Sequence, residues 1–147
     1  MNDLVLDQIN LVCADLDESI AFYRALGLTV PDDAIWRTDS GAHHVEIRMD
    51  NGFELALDSL ALAREYNSGS PSLSHDRKSN VISFRTATAE KVDALHADLT
   101  ALGYISSQEP YNTFWGSRYA IVEDPDGNLV GLMSPPDPGL RSGPPNI

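Results

Sequence analysis

Hydrophobic and polar positions alternate with a period of two near the start of the chain. Ile9, Leu11 and Cys13 lie against Gln8, Asn10 and Val12. This predicts a strand within residues 4–13 that buries one face. The period then changes. Ile20, Tyr23 and Leu26 share one stripe of a helix over 17–26, with Phe22 beside them. Asp15 or Asp17 is the candidate cap, and Glu18 sits in the first turn, where a carboxylate accepts from free backbone N–H groups. Gly27 is placed to end the helix. Leu28-Thr29-Val30 reads as a short strand and Pro31-Asp32-Asp33 as a turn. Residues 42–49 and 52–58 read as two strands joined by Asp50-Asn51-Gly52, whose Asn-Gly pair is a strong hairpin signal.

The same order then returns. Residues 80–86 predict a strand. Residues 89–102 predict a helix with Val92, Leu95, Leu99 and Leu102 on one face, ended by Gly103. Tyr104-Ile105-Ser106 opens a strand, and strands near 116–123 and 128–134 meet at Asp124-Pro125-Asp126-Gly127-Asn128, a tight turn that needs a positive φ at Gly127. Ala25-Leu26-Gly27-Leu28 and Ala101-Leu102-Gly103-Tyr104 close the two helices about 76 residues apart. A repeat of this length sets the architecture. The expected fold is α+β, with two βαβββ modules forming a cupped mixed sheet around a cavity. The modules span 1–59 and 80–134 within one structural domain. Residues 60–79 form a linker, of which Leu60 to Tyr66 can make one or two helical turns. The tail 135–147, with five prolines and two glycines, is expected to be extended or disordered.

Composition narrows the function. Hydrophobic residues make up 42% and charged residues 22%, enough apolar matter for a buried core. Acidic residues number 22 against 10 basic, a net charge of −12, which repels phosphate backbones and anionic lipid. Nucleic acid and membrane surfaces are therefore not the expected partners, and cationic partners are favoured. The single cysteine, Cys13, excludes a disulfide framework and reads as a buried thiol. No run of 18 apolar residues is present, and Met-Asn-Asp-Leu lacks a basic stretch leading into an apolar one. A cytoplasmic location is expected.

Asp15-Leu16-Asp17-Glu18-Ser19-Ile20-Ala21-Phe22-Tyr23-Arg24-Ala25-Leu26-Gly27 resembles the helix signature of the vicinal oxygen chelate superfamily, which includes glyoxalase I, bleomycin-resistance proteins, fosfomycin-resistance enzymes and extradiol dioxygenases. Asp124-Pro125-Asp126-Gly127-Asn128 is similar to its closing hairpin, and the match runs over about residues 4–134. The resemblance implies paired βαβββ modules and, in the enzymes, a divalent metal on four side chains. Those four positions fall on Gln8, Glu54, Asn80 and Gly131: one carboxylate, two neutral amides and a residue without a side chain. Catalytic transition-metal sites need imidazole or carboxylate ligands in number. No metal and no cofactor are therefore expected.

Other residues offer little to rebuild such a site. His43 and His44 are adjacent on a strand and point to opposite faces. His44 reads as a hydrogen bonder at a pocket rim. His75 lies in the linker, and His96 falls off the apolar stripe and is expected in solvent. No nucleophile motif and no glycine-rich phosphate loop is present. In the second half Tyr111, Phe114, Trp115, Arg118 and Tyr119 gather at the entry to a strand, the composition of a small-molecule pocket. Trp36 is expected to face them across a cleft, with Gln8, Glu54 and Asn80 as polar orienters and Gly131 leaving room. The expected protein is a metal-independent binder of an aromatic or cationic compound, similar to bleomycin-resistance proteins. The competing expectation is a metal-dependent lyase, isomerase or dioxygenase with a shifted metal site. A third is a degenerate member serving as a structural or regulatory partner. A free module edge and a cupped sheet need covering, which predicts a homodimer.

Overall fold

A computed structural model of the chain describes residues 8–66 and 81–144. The chain divides into two compact units, Met1–Ser74 and His75–Ile147. Each has the order strand–helix–strand–strand–strand that the repeat predicts.

In the first unit β1 (Gln8–Cys13) leads to α1 (Leu16–Leu26), then β2 (Trp36–Thr38), β3 (Gly41–Arg48), β4 (Glu54–Ser59) and α2 (Leu60–Tyr66). The sheet order is β1-β4-β3-β2, parallel between β1 and β4 and antiparallel elsewhere. Asp15 caps α1, its Oδ1 accepting from the Glu18 N–H at 3.1 Å. Gly27 ends the helix at φ 111°, a conformation that costs other residues strain, and the Leu28 N–H reaches back to the Tyr23 carbonyl at 3.0 Å. Leu16, Ile20, Phe22, Tyr23 and Leu26 are buried, as are Leu11, Cys13, Val45, Ile47, Leu55 and Leu57 of the sheet. Full burial of such a side chain is worth about 1.5–3 kcal/mol, so the stripe of α1 secures the unit.

The second unit repeats this with β5 (Val81–Arg85), α3 (Ala89–Ala101), β6 (Ser106–Asn112), β7 (Arg118–Glu123) and β8 (Leu129–Met133). The order is β5-β8-β7-β6, with β5 and β8 parallel. Val92, Leu95 and Leu99 of α3 are buried, with Ala120, Val122, Val130 and Leu132 of the sheet. Pro110 lies in β6, an edge strand with register shifts, where a missing N–H can face outward. Gly127 takes φ 80° in the turn between β7 and β8.

Three expectations are corrected. Leu28–Val30 forms no strand; the Arg24 guanidinium donates to the Val30 carbonyl, Nε at 3.0 Å, and also binds Asp32, and the ladder partner of β3 is Trp36–Thr38 instead. Leu102 is 66% exposed, because α3 stops at Ala101 before its stripe completes another turn. His96 is buried at 6% exposure, its Nε2 2.8 Å from the Ser106 Oγ. The tail, expected to be extended or disordered, has backbone partners within the described residues. It makes a 3-10 turn at Pro138–Leu140, and the Asp137 and Ser142 N–H groups donate to the Gly116 and Phe114 carbonyls at 3.0 and 2.9 Å. Among the described residues no helix is long and apolar enough to cross a membrane.

Candidate functional site

In each sheet one face packs on its helix and the other carries the chemistry. On the first sheet the pleat sends Gln8 and Asn10 of β1, Glu54 and Asp58 of β4, and His44, Glu46 and Arg48 of β3 to the side away from Leu11, Leu57 and Val45. Register sets the rows: Gln8 opposes Glu54, which opposes Arg48, and Asp58 opposes His44. The Glu54 carboxylate is taken by Arg48, Nε to Oε1 at 3.0 Å.

Asp58 is the centre of this face. It is 1% exposed and accepts from three side chains: His44 Nδ1 at 2.6 Å, Tyr66 Oη at 2.7 Å and Asn10 Nδ2 at 2.9 Å. A buried carboxylate is tolerated only with such partners. Burial pushes the Asp58 carboxyl up, but the hydrogen bonds from His44, Asn10 and Tyr66 and the charge of His44 outweigh it and hold it below the usual range. The Tyr66 phenol is pushed up to about 12, by burial first and then by its bond to Asp58. Asp58 is thus the acceptor and Tyr66 a donor, and the His44 Nδ1 must carry a proton. An open groove of about 600 Å³ adjoins this network, lined by Thr29, Pro31, Ala34, His44, Glu46 and Arg48. His44 Nε2 lies 3.8 Å from Glu46 Oε1. His43 points the other way, its ring bonded to Ser59, Thr38 and Ser40 and tilted against Trp36 at 5.2 Å.

On the second sheet the face away from α3 is aromatic. Tyr111 and Tyr119 meet edge-on at 6.3 Å, Tyr119 and Trp115 at 5.9 Å, and Trp115 and Phe114 at 5.1 Å. Tyr111 and Phe114 are 40% and 41% exposed. The tail bonds to the turn that carries Phe114 and Trp115, with Arg141 Nε on the Trp115 carbonyl at 3.1 Å. Arg118 does not join these rings. Its position in β7 alternates with Tyr119, and it turns to α3, where its Nε binds Asp93 at 2.8 Å. Gly131 does not leave open room. A Cβ there would lie within 2.8 Å of Tyr119 Oη and closer still to Ser83 Oγ.

Of the four positions implied for a metal, the three that are described do not suit one. Glu54 is engaged by Arg48. Gly131 supplies no donor, and the neighbouring space is filled by Tyr119 and Ser83. Gln8 is an exposed amide, and Asn80 lies outside the described residues, as does His75. Among the described residues no group of three or more His, Cys, Asp or Glu side chains is placed to hold an ion.

Sequence reasoning named Gln8, Glu54 and His44, which the register brings to one face, but missed Asp58, Asn10, Tyr66 and Arg48. The signal for Asp58 was available: an acid in the apolar run Leu55-Ala56-Leu57-Asp58 needs partners. The partners lie on other elements, so no local pattern announces them.

The fold is matched among solved structures. The hypothetical protein SA1046 from S. aureus shares 25% identity at a TM-score of 0.69, covering 92% of this chain and 95% of its own. A mutant of the genomically encoded fosfomycin resistance protein FosX from Listeria monocytogenes, complexed with Mn(II) and a dihydroxypropylphosphonic acid, shares 20% at a TM-score of 0.66, covering 96% of each chain. TnmS3, an antibiotic binding protein from Streptomyces sp., shares 24% at a TM-score of 0.62, covering 92% and 99%. No curated protein matches the chain. The profile of one family matches residues 5–132, and the chain belongs to that family, the Glyoxalase/Bleomycin resistance protein/Dioxygenase superfamily.

Proposed function

We propose that the protein is a metal-independent small-molecule binder, comparable to bleomycin-resistance proteins, that sequesters an aromatic or cationic compound. The observation that carries this is the surroundings of Gly131. Where a metal-holding carboxylate is implied, Tyr119 fills the space, and Tyr119 belongs to a chain of four rings that is partly open to solvent. Such rings offer stacking surface worth about 0.5–1.5 kcal/mol per pair beyond burial, and a face for cations. Tyr111, Phe114 and Trp115 form the aromatic wall in this proposal. Within the first unit, Gln8, His44 and Glu54 are the proposed polar contacts and Trp36 a proposed ring; Asn80 is a further proposed orienter. The net charge of −12 favours a cationic guest. The fold alone leaves both chemistries open, since its neighbours include an antibiotic binding protein and a protein complexed with Mn(II).

The test combines metal analysis of protein purified without chelator with a tryptophan fluorescence panel of planar and cationic compounds. The expected result is substoichiometric transition metal and saturable quenching in the micromolar range. A full equivalent of Zn, Ni, Fe or Mn per chain, with no quenching, overturns the proposal in favour of a metal-dependent lyase, isomerase or dioxygenase.

A further inference from the structure

The groove of the first unit brings His44 and Glu46 together on one wall. We propose that His44 Nε2 and the Glu46 carboxylate form a seat for a protonated amine, and that this seat fixes the charged end of the ligand. The inference deepens the binder reading and rests on its cationic arm.

The argument begins at Asp58. Its carboxylate takes three donors, one of them the His44 Nδ1 at 2.6 Å. That bond fixes the ring's orientation and sets the tautomer of its neutral form, which presents a lone pair at Nε2. Nε2 makes no hydrogen bond within the described residues; the nearest acid, Glu46 Oε1, is 3.8 Å away, beyond bonding distance. Two acceptors at that separation cannot satisfy each other. An ammonium group between them donates to both at about 2.8 Å.

The surroundings favour a cation over an anion. Arg48, the groove's own positive group, is bound by Glu54 at 3.0 Å and stands 4.0 Å from the far oxygen of Glu46, which leaves Oε1 to the His44 side. Three carboxylates, Glu46, Glu54 and Asp58, share this face with one arginine. Pro31, Ala34 and the Thr29 side chain line the rest of the groove and suit the apolar body of an aralkylamine. His44 is 32% exposed and Glu46 45%, so a solute reaches both. Asp58 acts as a positioning residue, because it touches the imidazole and not the guest.

The experiment titrates the full-length 15N-labelled protein at pH 8 with benzylammonium chloride and, separately, with benzyl alcohol. It follows the imidazole nitrogens of His44, assigned with His44→Gln. The expected result is a saturable shift of Nε2 with the amine and none with the alcohol. Glu46→Gln weakens the amine's affinity about tenfold or more. Asp50→Asn, which removes the same charge from the exposed turn after β3, leaves it unchanged. Absence of a shift, an equal shift with the alcohol, or an unaltered affinity in Glu46→Gln overturns the seat. The two proposals fail separately. A panel compound that quenches tryptophan while benzylammonium leaves Nε2 unmoved keeps the binder and removes the seat. A full metal equivalent with an intact Nε2 response does the reverse.

Discussion

Replacing Asp58 by Asn tests the centre of the first unit's polar face. The carboxylate receives three hydrogen bonds of 2.6–2.9 Å while 1% exposed. A hydrogen bond to a charged group contributes about 1.5–3 kcal/mol and a neutral one about 0.5–1.5, so the loss of charge alone removes roughly 1 kcal/mol from each bond. The amide oxygen can still accept from Asn10 and Tyr66, which share Oδ2. The amide NH₂ then faces His44, which must move its proton to Nε2 to accept at Nδ1. Three weakened bonds sum to about 3 kcal/mol, and the smaller desolvation cost of a neutral amide returns part of it. The expected loss at pH 7 is about 1–3 kcal/mol, read by urea unfolding. The sign with pH follows from the lowered Asp58 pKa. The carboxylate's contribution is complete above the unfolded-state value of about 3.9 and disappears as pH falls through the lower folded value, so the gap between wild type and Asp58→Asn closes in acid. A variant as stable as wild type at pH 7, or a gap independent of pH, refutes the reasoning. The tautomer change adds a second readout, since 15N spectra should show the His44 proton transferred to Nε2.

Three further outcomes are expected. Gly131→Ala drives a Cβ against Tyr119 Oη and Ser83 Oγ and should cost about 1–3 kcal/mol in denaturant unfolding; unchanged stability would show that the rings yield freely. Leu57→Ala, at a fully buried site, should cost about 2–5 kcal/mol in the same assay, whereas Leu102→Ala, at a residue that is 66% exposed, should stay within about 0.5, and similar losses would contradict the assigned core. The Tyr66 phenol, at about 12, stays protonated through pH 11, so absorbance at 295 nm should match between wild type and Tyr66→Phe up to that pH. A smaller rise in the variant would place Tyr66 among the ordinary tyrosines.

Much of the architecture was legible before any coordinates. The period-two run at Gln8–Cys13, the stripe Ile20-Tyr23-Leu26, a cap at Asp15 or Asp17 and the stop at Gly27 each reflect interactions within a few residues; the structure settles the cap on Asp15. Their return in the second half placed the two βαβββ units. Errors gathered where a distant partner overrides a local preference. Arg24 binds the Val30 carbonyl, and Ser106 gives the buried His96 ring a partner.

For this chain, then, short-range chemistry determined which segments are strands and helices, where they stop and that they occur twice, because propensity, periodicity and capping act over one or two turns. Tertiary structure alone decided what the polar residues do. Asp58 collects Asn10, His44 and Tyr66 from 48, 14 and 8 residues away, and Tyr119 fills the space beside Gly131. Buried charge and close packing are satisfied by whichever groups the fold brings near, and that proximity is a property of sheet register, which no stretch of sequence states by itself.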